Sequence, residues 1–592
     1  MQPAESYQQR LAERQAQATR LDRTDSRLAN VRFAIFVFTA GIAWWSFASE
    51  TVSVLWPLVP IIAFVGVAFY HGSVKRMRSH AGRAVEWYSR GLARIEDRWD
   101  RKASAGARFE DPHHVYAADL DLFGAGSVFA LMSTVRTRMG EDTLAQWLLS
   151  PAAVAVVRER QGSVAELRGQ LDLREEVTLI GEDDAVGVQP RALIAWAEKP
   201  NFWNPRWLRW AAVALPLLAI ATAIVWAVWG LISPFALIIA VELLLMRAIR
   251  KELHEIVSET ERAFDKLGLL LALTRRVERA AFHASGLQTL QQQLLSRDQR
   301  ASETIAKLAT IVQLIESRRN PFLAIFQLPL LYTTNLSLAA ERWRIAHGRS
   351  VRGWLNALGE IEALLSLAAY SYEHPDDPFP EFVEGAPSFE AAGLGHPLLP
   401  AAHCVRNDVT IAGDTKVLLI SGSNMSGKST LLRAIGVNTV LAMAGAPVRA
   451  QRLRLTSLQV GASIRVNDSL HEGSSRFYAE ITRLRQIHEL SGRHPALLFL
   501  LDELLQGTNS HDRRIGAQGT IGAFIDNGAI GLITTHDLAL TSIGAAIGGR
   551  LRNLHFQDEL SEGRMSFDFK LREGVVTKSN ALELMRSIGL RV

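Results

Sequence analysis

The stretch SGSNMSGKST, residues 421–430, holds the residue types that a polyphosphate requires. Gly422, Gly427, Lys428 and Ser429 stand at the spacing of a phosphate-binding loop: glycine, four residues, glycine, lysine, hydroxyl. Glycines let backbone N–H groups curl round phosphate oxygens, and the helix that follows adds the positive end of its dipole. Lys428 would reach the β- and γ-phosphates, and the Ser429 hydroxyl would bind Mg²⁺. Ser423, Asn424, Met425, Ser426 and Thr430 complete the candidate ATP cradle. A second stretch, ALLFLLDELLQGTN (496–509), ends an apolar strand in Asp502 and Glu503. A carboxylate at a strand tip can hold the Mg²⁺ shell, and its neighbour can polarise an attacking water. A third strand, GLITTHD (531–537), ends at His536, placed to sense a γ-phosphate. Catalytic candidates are therefore Glu503, His536 and Lys428; magnesium candidates are Ser429 and Asp502; the cofactors are ATP and Mg²⁺.

These residues need a scaffold. From about residue 389 onward, β-branched runs alternate with helical ones, the pattern of an α/β domain with a mainly parallel sheet. Before it, YEHPDDPFPEFVEGAPSF (372–389) is rich in proline and turn residues and marks the start of a new domain. Residues 252–372 carry long helical periodicity, broken near RRNPF at 318–322.

The rest of the chain is unlike a soluble ATPase. Of 592 residues, 48% are hydrophobic although 21% are charged, so the apolar residues are concentrated. They gather in two blocks, Phe33 to Tyr70 and Trp210 to Met246, each long enough for two membrane-crossing helices. The breaks fall at Ser49-Glu50 and at Gly230 to Pro234, so both blocks read as hairpins. Pro216, Pro234 and Glu242 interrupt the second; Glu242, placed near a helix end, would snorkel. Arg20, Arg23, Arg27 and Arg32 precede the first block, and Lys75, Arg76, Arg78 and Arg83 follow it. Arg206 and Arg209 precede the second, and Arg247, Arg250 and Lys251 follow it, while neither inner loop holds Lys or Arg. By the positive-inside rule, both termini and the ATPase lie in the cytoplasm and the hairpins cross the cell (inner) membrane. A net charge of +5 suits nucleic acid, anionic lipid or such flanks equally. One cysteine, Cys404, excludes an internal disulfide.

Membrane helices with a P-loop first suggest an ABC transporter, which needs an LSGGQ signature opening a helix. LSGRH (490–494) runs straight into Pro495 and the next strand, so it reads as a turn. GSNMSGKST, EGSSRFYAEI, DELLQGTNSHD and TTHD, in this order and spacing, instead resemble the ATPase domain of the MutS family of DNA mismatch-repair proteins. The resemblance extends upstream to residues 120–167, through WLNALGEIEALLSLA (354–368), and to GLGHPLL (393–399). It implies a dimer in which a serine of one subunit reaches the γ-phosphate held by the other; Ser475 matches that serine in trans. Two positions depart from the family: Arg476 replaces a threonine, and Gln506 replaces an arginine. Set beside the family, the chain is expected to lack the N-terminal mismatch-reading domain, with a polar helix and an apolar hairpin in its place, and the second hairpin is expected where the family has its DNA-gripping clamp.

The expected fold is α-helical membrane hairpins and a helical core and lever domain, followed by a C-terminal α/β P-loop NTPase. The segments are a polar helix (1–30), transmembrane hairpin 1 (31–72), a helical connector (73–114), a MutS-like core in two parts (115–205 and 250–375) around hairpin 2 (206–249), and the ATPase domain (376–592). Two functions follow. One is a membrane-anchored, homodimeric MutS-like ATPase that acts on DNA without classical mismatch reading, with Arg275, Arg276, Arg279, Arg318, Arg319, Arg342 and Arg344 as candidate phosphate contacts. The other is an ATP-driven membrane switch with a protein or lipid partner and no DNA role.

Overall fold

A computed structural model describes residues 2–48, 53, 55–101, 104–180, 190–200, 205–263, 267–296, 299–318, 320, 327–423, 425–465, 476–561 and 564–576. The chain forms two compact units, residues 1–101 with 372–376, and residues 102–371 with 377–592.

The first unit is built on two long helices, α1 (Pro3–Ala48) and α2 (Leu58–Ile95). The polar lead-in and the first apolar run are one continuous helix, so the boundary expected at residue 30 is a change of composition, not of backbone. The helices run antiparallel. Tyr7 meets Trp87 and Tyr88 near one end, and Asp25 and Arg32 meet His71 further along. Polarity is inverted relative to a soluble hairpin. His71 is buried, while Phe33, Phe38, Trp44 and Phe69 are more than half exposed. His71 Nε2 lies 2.7 Å from Asp25 Oδ1 and its Nδ1 3.1 Å from Arg32 Nη1. Glu373 belongs to this unit and accepts from Arg94 Nε at 2.6 Å and from the Tyr7 hydroxyl at 3.3 Å.

The helices of the second unit include α3 (Arg138–Leu149), α4 (Val154–Leu167), α5 (Leu171–Leu179), α6 (Pro190–Glu198), α7 (Arg206–Trp229), α8 (Ser233–Ala248), α9 (Arg250–Ala263), α10 (Leu267–Glu278), α11 (Ser285–Gln293), α12 (Ala301–Ser317) and α13 (Tyr332–Glu373), except that the last two residues of α13 belong to the first unit. The 42 residues of α13 span about 63 Å at 1.5 Å per residue. Its Glu362 carboxylate is buried and accepts from the Arg136 amide at 3.0 Å and from the Thr137 hydroxyl. Thr137 in turn caps α3 through the Gly140 amide at 3.2 Å. Helix α13 is thus tied to the segment that starts α3.

Among the described residues, three helices are long and apolar enough to cross a membrane: α1, α2 and α7. The expected fourth, α8, has 16 residues, about 24 Å, short of a ~30 Å hydrocarbon core. Glu242 also differs from expectation. It lies inside α8 and is fully buried, with neither carboxylate oxygen partnered, rather than reaching outward from a helix end.

The foot of this second hairpin is a small apolar cluster of Leu208, Ala212, Ile249, Leu253 and Leu338, joining α7, α9 and α13. Pro216 sits inside α7. Proline has no N–H, so the carbonyl four residues earlier, that of Ala212, loses its helical donor. Asn335 of α13 fills the gap, its Nδ2 donating to Ala212 O at 3.0 Å.

The α/β part contains β1 (Glu381–Phe382), β2 (Phe389–Leu394), β3 (Asn407–Ile411), β4 (Val417–Ser421), β5 (Arg452–Leu455), β6 (Leu458–Ser463), β7 (Ala496–Leu501), β8 (Ile530–Thr535), β9 (Leu551–Ser561) and β10 (Arg564–Glu573). The main sheet has the order β6-β7-β8-β4-β9-β10. Its first five strands are parallel and β10 is antiparallel. Every residue of β4 and β8 is buried, as parallel strands covered on both faces require. The smaller sheet, β1-β5-β2-β3, flanks the start of the domain. Helices α14 (Lys428–Ala444), α15 (Arg476–Leu490) and α16 (Ser510–Asp526) connect the strands. LSGRH forms the turn after α15, as its sequence predicts.

Candidate nucleotide site

The site lies where β4, β7 and β8 end side by side. These strands are neighbours in the order β7-β8-β4, so their exits bring three distant sequence segments to one edge. The loop after β4 turns into α14 through Gly427, whose φ of +100° suits glycine and few other residues. A Cβ there would come within 3.1 Å of the Phe569 ring. Lys428 is buried, and its Nζ donates to the carbonyls of Gly422 at 2.8 Å and Ser423 at 2.7 Å. Burial pulls its ammonium down from the ordinary lysine value, opposed by the charges of Glu503, Asp502 and Asp558. The hydroxyls of Ser423 and Ser426 are buried without a hydrogen-bond partner. Buried polar atoms are seldom left so, and two in one loop fit an anion's oxygens. Met425 is exposed and Thr430 is exposed at the first turn of α14. Asn424 lies outside the described residues.

The magnesium candidates are in contact. Ser429 Oγ donates to Asp502 Oδ2, and Thr534 Oγ1 donates to Asp502 Oδ1. Asp502 is further fixed by its backbone, whose N–H donates to Ser463 O at 2.9 Å. Among the described residues, no cluster of three or more His, Cys, Asp or Glu side chains forms a protein-only metal site. A hydroxyl, one carboxylate and phosphate oxygens are the donor set Mg²⁺ takes beside a nucleotide.

At the next residue the chain turns sharply. Glu503 has a φ of +52°, a left-handed conformation uncommon outside glycine, and its N–H donates to Thr534 O at 3.1 Å. This turn sends Asp502 towards Ser429 and Glu503 towards His536. Glu503 Oε1 lies 3.2 Å from His536 Nδ1, and Glu503 Oε2 accepts from Gln506 Nε2. The departure at Gln506 therefore touches the carboxylate with the candidate base role. Arg513 of α16 stiffens the same loop, donating to the carbonyls of Leu505 at 3.1 Å and Thr508 at 3.2 Å.

Beside Gly427 and Thr430 a cavity of about 280 Å³ is lined by Leu394, His396, Cys404, Phe556 and Phe569. It lies near the lower end of ligand-pocket volumes, ~300 Å³, and is largely apolar with a few polar groups. Burial lowers His396 to about 4, Arg433 adds to this and Asp121 opposes it, so its ring is neutral at neutral pH.

The structure thus gathers Lys428, Ser429, Asp502, Glu503 and His536. Ser475 and the loop 466–475 lie outside the described residues, as does the side chain of Arg476. Thr534, Gln506 and Phe569 were not among the site residues expected from sequence. Thr534 stands in the quoted GLITTHD, but its contact with Asp502 depends on the β7–β8 register, Leu501 opposite Ile533. The lever arginines gather less well. Arg276 pairs with Glu176, Arg318 with Glu261 and buried Arg344 with Glu341. Arg342 Nε donates to Leu338 O at 3.2 Å. Arg275 and Arg279 are exposed, and Arg319 lies outside the described residues.

Residues 418–591 match the family model of MutS domain V. The chain is 33% identical over 239 residues to DNA mismatch repair protein MutS 2 of Halobacterium salinarum, covering 40% of this chain and 27% of that protein. It is 32% identical over 250 residues to Endonuclease MutS2 of Thermus thermophilus, covering 42% and 32% respectively. It is 30% identical over 239 residues to DNA mismatch repair protein MutS of Lactococcus lactis, covering 39% and 28%. The chain thus spans between a quarter and a third of the length of these relatives. The similarity to MutS proteins is carried by the C-terminal domain.

Proposed function

Taking that family match as premise, we propose that the chain is a membrane-anchored, homodimeric MutS-like ATPase that acts on DNA without classical mismatch reading. The observation that carries the ATPase reading is the contact of Ser429 with Asp502 beside Lys428 and two unpartnered serine hydroxyls. ATP and Mg²⁺ fit this donor set. The loop amides, Ser423, Ser426 and Lys428 would hold the phosphates, and the apolar cavity beside Thr430 would take the base. Ser429 and Asp502 would hold Mg²⁺, which when bound supplies charge neutralisation on the phosphate oxygens. Glu503 would accept the proton of the attacking water, oriented by Gln506 and His536. Ser475 would act on the partner's nucleotide.

The membrane reading rests on α1, α2 and α7, with α8 completing the second hairpin. A cytoplasmic ATPase with cytoplasmic termini, and hairpins in the cell (inner) membrane, is supported by the Lys and Arg flanks and the positive-inside rule. The DNA part rests on the printed names of the relatives, two of which are called DNA mismatch repair proteins. One observation favours the second reading, a membrane switch with a protein or lipid partner: Arg276, Arg318 and Arg344 spend their charge on neighbouring carboxylates. ATP turnover of the detergent-purified protein, with and without duplex, branched and mismatched DNA across a salt series, separates the two. DNA action predicts stimulated turnover and binding that weakens as salt rises. DNA without any effect leaves the membrane switch.

A further inference from the structure

Residues 112–121 form no regular helix or strand, yet several of their polar groups bond to elements that flank the nucleotide site. They run along β6, the edge strand of the main sheet, and Val115 O accepts the Ala462 amide at 2.8 Å. One residue past the end of β6, Asp119 takes over. Its Oδ1 accepts both the Ile464 and the Arg465 amides at 2.7 Å, and the side chain is almost fully buried. The residue before these amides is Ser463, whose carbonyl receives the Asp502 amide at 2.9 Å. Asp121 accepts from Arg465 at 2.6 Å and from Arg433 at 3.5 Å, and Arg433 stands one helical turn after Ser429 in α14. Both magnesium candidates are therefore braced from the same short segment.

A second arm reaches the other carboxylate. Arg483 of α15 donates to the carbonyls of His114 at 2.7 Å and Pro112 at 2.9 Å. On the same helix, three residues earlier, buried Glu480 accepts the Leu505 amide, two residues beyond Glu503. Further along the chain from residue 121, Thr134, Arg136 and Thr137 bind Ser366 and Glu362 of α13. One continuous stretch touches the lever at one end and the hydrolysis corner at the other.

We propose that residues 112–121 are a positioning strap for the magnesium corner: Asp119, through the Ile464–Arg465 backbone, sets Asp502 against Ser429, and Arg483, through α15 and Glu480, sets the loop that carries Glu503. The proposal rests on the ATP–Mg²⁺ reading above. Neither Asp119 nor Arg483 is a catalytic residue; both act through other groups.

The test uses the full-length protein in detergent. Mn²⁺ binding in the presence of ADP is read by electron paramagnetic resonance, fluorescent ADP binding is read in EDTA, and amide hydrogen exchange is read over 462–465 and 502–505. Asp119→Ala should weaken Mn²⁺ binding about 10-fold, the scale of lost outer-shell support. It should also speed exchange at Ile464, Arg465 and Asp502 while leaving metal-free ADP binding within about 2-fold. Asp119→Asn should recover most of the loss, because its single carbonyl oxygen can accept the same two amides. Arg483→Gln should speed exchange at Leu505 and leave Asp502 protected. Unchanged Mn²⁺ affinity and exchange in Asp119→Ala would overturn the proposal, and so would an Asp119→Asn variant as impaired as the alanine. Should Asp119→Ala fail to fold, unchanged Leu505 exchange in Arg483→Gln overturns the second arm. Wild-type protein that binds no Mn²⁺ with ADP would refute the nucleotide reading itself, a different outcome from a wild type that binds it and an Asp119→Ala variant that is unaffected.

Discussion

The phosphate corner and the foot of the second hairpin belong to one compact unit but are built on opposite plans. In the corner, polar groups exceed their partners: Ser423 and Ser426 have none, and Lys428 turns back on the carbonyls of its own loop. At the foot, five apolar side chains pack together, and Asn335 donates to Ala212 O at 3.0 Å and to Leu330 O at 3.1 Å. The first arrangement leaves donors that an anion's oxygens would fit. The second is already complete, and fastens α7 to the start of α13. The difference is one of satisfaction: the corner keeps unpartnered buried hydroxyls, whereas the foot pairs the carbonyl that Pro216 frees.

The comparison can be broken from either side. The largest effect belongs to the corner. Glu503→Gln should lower phosphate release about 100-fold or more, the usual contribution of a positioned base, while fluorescent ATP still binds. Turnover near wild type would remove Glu503 from that role, and a loss of ATP binding would mean that the corner is not independently preformed. At the foot, Leu338→Ala deletes a buried side chain and should cost about 2–5 kcal/mol of stability by denaturant unfolding, with ATP affinity unchanged.

A smaller effect tests the cavity beside the corner. His396 is lowered to about 4 in the folded protein, below its ordinary value. The unfolded chain then binds the proton more readily, so this histidine's contribution is intact above pH ~6.5 and is lost as pH falls towards 4. The loss between pH 7 and 5 is about 2 kcal/mol, and His396→Gln should flatten that part of the stability–pH curve. An unchanged slope would show that the ring is not buried neutral.

The smallest effect sharpens the account of the foot. Asn335→Ala should cost about 1 kcal/mol, because Ala212 O is left without a donor. Pro216→Ala restores a helical N–H to that carbonyl, so in its background Asn335→Ala should cost less, leaving only the loss of its bond to Leu330 O. Equal costs in both backgrounds would mean that the hydrogen bond is incidental to the joint.

What could be read from sequence follows the same division. Phosphate chemistry demands particular residues at short spacings, so Gly427, Lys428, Ser429, Asp502, Glu503 and His536 were legible before any fold was known. Their supports were not. Thr534 reaches Asp502 only through the pairing of β7 with β8, and Asp119 reaches Ile464 across 345 positions of sequence. Pro216 read as an interruption of an apolar helix; its consequence, a freed carbonyl, needed Asn335 to be placed beside it. Glu242 read as a residue near a helix end because the apolar run stops at Met246, whereas α8 continues to Ala248 and buries Glu242 within it.

The central claim is that a cytoplasmic ATP engine is anchored by hairpins that cross the membrane. Leu231 stands exposed in the turn between α7 and α8. In a Cys404→Ser background, Leu231→Cys on intact cells is treated with a membrane-impermeant maleimide. Labelling from outside the cell without lysis is the expected result, and labelling that appears only after lysis would contradict a membrane-crossing hairpin.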